Sequence, residues 1–438
     1  MSRVKVIGGG LAGAEACYKL AKAGIEVDLY EMRPVKMTPA HTTGGLAELV
    51  CSNSLKSEDI TTAQGLLKAE MRELDSVILQ AAGIARVPAG GALAVDRALF
   101  SQAVENIIKS TGKINIIRQE CASIDNNTIV ATGPLTSDAM AEEIKKLTGA
   151  EYLHFFDAVA PIITAESVDM SKAYYGARYG KGSADYLNCP MDEGEYKNFI
   201  KELVGAATVV LKSFEKGDVF EGCMPVEVLA ARGEDSLRFG PLRPVGLKSP
   251  DGKKAYAVVQ LRKEDRYDSM LNLVGFQTNL TFPEQRRVFR LIPALANAEF
   301  VRYGVMHRNT YINSPEALTI TLNPKNSPDI FFAGQITGVE GYMESAMTGM
   351  LAAIHMLRRL KGKDPVAPPE TTMCGSLCKY IATAKGGFAP MHVSFELVSP
   401  IERRIKDKAE RRKALADRAL KDIKEYKNTV LQDIEVSL

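Results

Sequence analysis

No apolar run in these 438 residues approaches the length of a membrane span, so the reading contains no transmembrane helix and no membrane partner. Charge of one sign is also missing as an excess. Lys and Arg number 55 against 53 Asp and Glu, a net of +2, so a nucleic-acid surface would need local segregation of charge. The seven cysteines (17, 51, 121, 189, 223, 374 and 378) are odd in number and follow no regular framework. That argues for a reduced, cytoplasmic chain rather than a disulfide-stapled one. The first strand is under way by Val4, so no signal peptide is expected. Cys374 and Cys378 lie four apart with no second pair or neighbouring His, so they read as packing residues and no metal is expected.

What is present begins at once. Val4 to Ile7 is a short apolar strand, and Gly8, Gly10 and Gly13 follow at G-x-G-x-x-G spacing before a helical pattern through Leu20 and Ala21. Gly8 permits the turn, Gly10 lets a pyrophosphate approach the backbone, and Gly13 lets helix pack on strand. Gly9, Leu11 and Ala12 complete the turn and the helix N-terminus, whose free N–H groups suit phosphate. A second strand, Ile25 to Tyr30, ends in Glu31, where a carboxylate can accept ribose hydroxyls. The Met32-Arg33-Pro34 loop follows. Strand, helix and acid together make this a dinucleotide site, without separating FAD from NAD.

Further along, Cys51-Ser52-Asn53-Ser54 precedes a pattern from Gln64 to Leu79 that predicts a cap with a helix behind it. Cys51 would then feel the positive end of a helix; a buried Cys near a cap fits equally well. Thr128 to Gly133 reads as a strand ending in a tight turn of the kind that passes close to a cofactor. From Tyr174 the composition turns polar and aromatic, Tyr174-Tyr175-Gly176-Ala177-Arg178, which marks the entry to an inserted domain. Arg178 and its tyrosines could pair with phosphates and stack on bases, though composition favours a solvent-facing loop. In Phe220-Glu221-Gly222-Cys223-Met224-Pro225 a bent backbone could expose the Cys223 thiol; a buried Cys beside a turn is the even alternative. His307-Arg308-Asn309, between Tyr303 and Tyr311, is either a polar binding wall or a set of satisfied polar residues.

A second informative stretch opens at Asp329. An apolar strand ends in Gly334-Gln335, and Gly341-Tyr342-Met343 starts a helix that would point its N-terminus inward, where N–H groups can stabilise negative charge on a reduced flavin. No second G-x-G-x-x-G follows a strand, so a separate NAD domain is not expected, and the two halves together favour FAD. The segment from Glu402 to Lys427 reads as a helix with eleven basic against six acidic residues, an amphipathic solvated face. The predicted fold class is α/β: a Rossmann-like FAD-binding domain of the two-dinucleotide-fold flavoprotein type (1–175 and 323–438, with a C-terminal helical tail), interrupted by a smaller α+β insertion at 176–322.

At Cys51-Ser52-Asn53-Ser54, Phe220 to Pro225, Ala333-Gly334-Gln335 and Gly341-Tyr342-Met343-Glu344-Ser345 the chain resembles the TrmFO family, folate- and FAD-dependent tRNA (uracil-5-)-methyltransferases. The related MnmG type, which modifies wobble uridines, has a long C-terminal extension that is not expected here, where only the 370–438 segment follows. The resemblance implies that 5,10-methylenetetrahydrofolate gives one carbon to C5 of the T-loop uridine at position 54 of tRNA. Reduced FAD, replenished by NAD(P)H, would supply the electrons. It implies Cys223 as the nucleophile at uracil C6 and Cys51 as its helper. It also implies His307 as the face opposite the flavin across a stacked pterin, and Tyr342 and Glu344 in the flavin and folate region. Rival readings are an MnmG-like wobble-uridine enzyme, a flavin oxidoreductase with Cys51 and Cys223 as a redox pair, and a non-catalytic FAD-binding tRNA module.

Overall fold

The structure is a computed structural model that describes residues 3–150, 152–180, 183–209, 224–250, 252–402 and 405–435, with the side chains of 155, 156, 307, 308 and 431–435 left aside. Cys223 therefore lies outside the described residues.

Five parallel strands carry the nucleotide-binding half, in the order Ile330–Phe332, Thr128–Val130, Arg3–Ile7, Glu26–Tyr30, Ile114–Ile117. Strands buried on both faces read as continuous apolar runs, which is why Val4, Val6, Ile129, Phe331 and Phe332 are fully buried. The chain leaves this sheet after Val130 and re-enters it at Ile330, directly beside the strand it left. Two helices cross next to each other on this sheet, Leu11–Lys22 and Tyr342–Leu360. Their approach depends on a missing side chain, since a Cβ on Gly349 would lie 2.0 Å from the Ala12 carbonyl oxygen.

The second half is an antiparallel sheet of six strands, in the order Tyr174–Gly176, Tyr186–Met191, Ala257–Lys263, Met270–Leu273, Ile162–Thr164, Phe300–Arg302. Helices Glu193–Val204, Val226–Ala231 and Phe282–Phe289 cover it around Phe199, Phe276 and Phe289, the last two edge-to-face at 5.2 Å. The sequence places this insert at 176–322, whereas its sheet draws strands from Ile162 to Arg302. Between the halves runs a two-stranded ribbon, Tyr152–Ala158 against Met306–Ile312.

The segment expected to be one helix behind Leu55 is two, Ala63–Glu73 and Val77–Ile84. Asp75 breaks it with φ of 61°, and the Ser76 side chain accepts from Leu79 N–H to cap the second. The Lys408–Glu435 helix seats Leu415, Ala416, Ala419, Ile423, Tyr426 and Val430 in the main core, and Tyr426 Oη donates to the Val366 carbonyl at 2.8 Å. Cys374 and Cys378 are fully buried in that core, and burial pushes the Cys378 thiol up to about 12. Among the described residues no helix is long and apolar enough to cross a membrane, and no acid, His and Cys cluster could hold a metal.

Candidate functional site

A cavity of about 630 Å³ lies over the carboxyl ends of the parallel strands, where open α/β sheets bind ligands. Fourteen of the residues singled out in the sequence line it: Gly8, Gly9, Gly10, Leu11, Ala12, Glu31, Arg33, Cys51, Gly133, Asn309, Gly334, Gln335, Gly341 and Tyr342.

The phosphate cradle follows from two glycines. A Cβ on Gly13 would stand 1.8 Å from the Gly8 carbonyl oxygen, so that position is closed by the protein itself. A Cβ on Gly10 would meet nothing within 4 Å, so that backbone is bare toward the cavity. Gly10 is also the cap of the Leu11–Lys22 helix, and no side chain caps it. The helix thus presents free N–H groups to the cavity, a donor set that fits a pyrophosphate.

Glu31 is more occupied than its sequence position suggests. Its Oε1 accepts from Arg33 N and Nε, both at 2.9 Å, and its Oε2 accepts from Gly9 N at 2.9 Å and Arg33 Nη2 at 3.1 Å. A carboxylate has about four acceptor sites, so a ribose hydroxyl would share an oxygen already held by Arg33. Burial alone would push Glu31 up, but the Arg33 hydrogen bonds and charge outweigh it and hold the carboxyl below the usual range. Arg33 is itself buried and reaches Glu48 Oε2 at 2.9 Å, so one guanidinium ties the Glu31 strand end to the following loop.

The Cys51 loop corrects the helix-end expectation. Ser54–Ser57 is a strand, and the nearest helix starts only at Ala63, with Thr62 as its cap. The positive end of that helix therefore does not sit directly behind the thiol. Instead the loop is pinned from three sides. Tyr342 Oη accepts from Cys51 N at 2.7 Å and Ser52 N at 3.1 Å. Arg97 donates to the carbonyls of Leu49 at 2.7 Å and Cys51 at 3.4 Å, while its Nε pairs with Glu264 at 2.7 Å. Arg262, from the second sheet, donates to Ser52 Oγ and Asn53 Oδ1, both at 2.8 Å. Burial, then the neighbouring Cys51, raises the Tyr342 phenol above its ordinary value, so it stays a neutral acceptor.

Four expected residues stand outside the lining. Gly13 and Met343 serve packing. Glu344 is buried at the start of the Tyr342–Leu360 helix, where its Oε1 accepts from Val393 N at 3.2 Å. Arg178 lies elsewhere, in a smaller cavity between the Ala89–Gly91 turn and the insert, donating to the Val245 carbonyl at 2.9 Å and to Gln260 at 3.0 Å. The backbone of His307 belongs to the ribbon.

The sequence reading passed over Arg97, Arg262, Asp157 and Glu340. Arg97 had a signal: a cation in the first turn opposes the helix dipole, so its place at the start of the Arg97–Ser110 helix calls for a tertiary partner. Arg262 sits in a charged run whose burial only the folded sheet reveals.

Compared with known proteins, residues 3–364 match the family described as GIDA, glucose inhibited division protein A. A Persephonella marina protein named methylenetetrahydrofolate--tRNA-(uracil-5-)-methyltransferase TrmFO is 55% identical over 97% of this chain and 98% of its own length. Its namesake from Aquifex aeolicus is also 55% identical, over 97% and 96%. Among solved structures, Aquifex aeolicus GidA in its form II crystal superposes with a TM-score of 0.72 at 16% identity, covering 98% of this chain and 73% of that one, a likeness of fold. The form I crystal gives 0.69.

Proposed function

The chain belongs to the TrmFO family within the wider GIDA group, and from that premise we propose that it makes 5-methyluridine in tRNA. The carbon comes from 5,10-methylenetetrahydrofolate, the target is uridine 54 of the T-loop, and NAD(P)H recharges the flavin. FAD fits the residues present. The uncapped Leu11–Lys22 helix and bare Gly10 suit its pyrophosphate, Glu31 its ribose, and Gly133, Gly334 and the Gly341–Tyr342 helix start its flavin end. Bound there, it supplies the two electrons that turn a methylene into a methyl group.

The observation that carries this reading is the Tyr342–Cys51 contact, which holds a cysteine loop against the helix start lining the same cavity as the glycine turn. Uracil C5 is a poor nucleophile until a thiolate adds at C6, so the reaction needs a sulfur beside the reductant. We assign the addition to Cys223 and a supporting role at C5 to Cys51. Cys223 lies outside the described residues, but Val226, three positions on, donates to the carbonyl of Gln277, a residue of the cavity wall.

The test incubates purified protein with unmodified tRNA, labelled methylenetetrahydrofolate and NADH, then identifies the nucleoside formed. Cys223→Ala should stop methylation and leave the protein yellow; 5-methyluridine from that variant would refute the nucleophile assignment. Turnover that needs no RNA would instead favour a thiol redox pair.

A further inference from the structure

Arg302 closes the edge strand Phe300–Arg302 of the antiparallel sheet, at the end of a polar row. It pairs with Ile162, Ile162 with Asn272, and Asn272 with Arg262, so the four stand side by side across four neighbouring strands. Residues directly opposite one another project to the same face of a sheet. Arg262 identifies that face, because its guanidinium holds Ser52 and Asn53 of the Cys51 loop. The next row, Leu271, Ile163 and Phe300, turns the other way into the apolar core of the insert.

The polar row is rich in donors and short of acceptors. Asn272 is 4% exposed, and its Nδ2 has no hydrogen-bond partner among the described residues. Arg302 is half-buried, and among the described residues its guanidinium makes neither a hydrogen bond nor an ion pair. The charged side chains that act on it most are Arg97 and Glu264, and Glu264 is already paired with Arg97 at 2.7 Å. Burial, and then the charge of Arg97, pulls Arg302 below the ordinary guanidinium value, yet a guanidinium keeps its proton in a protein. A cation drawn into the fold beside a second cation, with no carboxylate of its own, is the wrong way round for stability. An anion from outside the chain relieves it.

The position selects the anion. Cys51, Ser52 and Arg262 line the main cavity, whereas Arg302 stands beyond its wall, close enough for the Cys51 thiol to act on its charge. A ligand that meets both must pass from the cavity onto the insert. A nucleotide turned out of its stack does this, with its base in a pocket and its backbone outside. The anion that travels with a uracil ring at Cys51 is the phosphate of its own nucleotide, one sugar away.

Building on the methyltransferase reading, we propose that Arg302 binds the backbone phosphate of the target uridine and so positions that nucleotide beside Cys51. The experiment measures binding of unmodified tRNA to the FAD-loaded protein, without folate, over a range of salt. Arg302→Gln should weaken binding about tenfold and reduce the slope of log Kd on log salt by about 0.7–0.9, the share of one phosphate. Arg302→Lys keeps a point charge and should recover most of the affinity. Flavin content and the folate KM should not move. Unchanged tRNA affinity or salt slope in Arg302→Gln overturns the assignment, as does an equal loss in the Gln and Lys variants, which would mark packing rather than charge. A raised folate KM with tRNA binding intact would give Arg302 to a carboxylate of the folate tail, and overturns it too. A second measurement needs no variant: a neutral methylphosphonate replaces each phosphate flanking the target uridine in turn. One replacement should weaken binding to wild type about tenfold, and indifference to both overturns the assignment. Wild type that binds tRNA but forms no 5-methyluridine overturns the activity reading alone; wild type that binds no tRNA overturns the phosphate site as well.

Discussion

Tyr342→Phe tests whether the Cys51 loop is positioned as the geometry says. The change keeps the ring and its packing and removes one oxygen that accepts two N–H groups, at 2.7 and 3.1 Å. Cys51 and Ser52 are half-buried, so each orphaned N–H should cost about 1 kcal/mol rather than the full penalty of a dry interior. The pinned loop then loses about 2 kcal/mol relative to released alternatives. At 1.4 kcal/mol per factor of ten, this is a shift of about 30-fold, an upper bound on the loss in turnover. We expect 5-methyluridine formation to fall about tenfold under saturating substrates, with flavin content unchanged because the Gly10 and Gly341 backbones are untouched. Single-turnover product formation with labelled folate is the assay. Turnover within twofold of wild type would show that Arg97 and Arg262 hold the loop alone and that the Tyr342 contact is incidental.

Other expectations follow from the same contacts. Gly10→Ala should fold with native stability and lose most of its flavin, because the new methyl enters only the cavity. Gly13→Ala should fail at folding, since its Cβ would sit 1.8 Å from a carbonyl oxygen; absorbance at the flavin band and thermal melting separate the two. Glu70 is fully buried, accepts the N–H groups of Met373 and Cys374 at 2.8 and 2.9 Å, and is pushed by burial from 4.5 up to about 7. A raised carboxyl stabilises the fold fully below about pH 4.5 and has lost that contribution by about pH 7, here about 3 kcal/mol. The stability advantage of wild type over Glu70→Gln should therefore shrink by about that amount between pH 4.5 and 7.5. Denaturant unfolding at both pH values checks it, and a constant difference would contradict it.

Reach along the chain explains what the sequence disclosed. The first strand, turn and helix pair within some thirty residues, so their logic is written locally, and the strand at Ile330 announced itself by an apolar run ending in glycine. The Ile162–Thr164 strand of the second sheet was hidden because it has three residues and its partner, Met270–Leu273, lies more than a hundred residues away. The composition shift at Tyr174 marks only an edge strand of that sheet. Ser52 and Ser54 look like helix caps, but the Asp59–Thr62 turn supplies the real one, and the earlier serines were left to a strand. Asn309 was visible as part of a polar cluster. That its amide is buried without a partner was not, because burial is set by segments distant in the chain.

Contacts across long stretches of chain tie the thiol to the insert as well as to the nucleotide-binding half. Cys51 is held by a phenol 291 residues away, and its neighbours by a guanidinium some 210 residues away on the second sheet. Arg262 also grips Asn53, whose Nδ2 returns to the Lys263 carbonyl at 2.9 Å, so the loop and the insert strand are laced in both directions. A movement of the insert, such as one imposed by a large RNA, would therefore be felt first at Ser52 and Asn53. Ser52, held by both Tyr342 and Arg262, directly follows the thiol residue in the chain. Any displacement of the insert and the placement of the sulfur are in this way coupled, and an Arg262 variant should loosen both together.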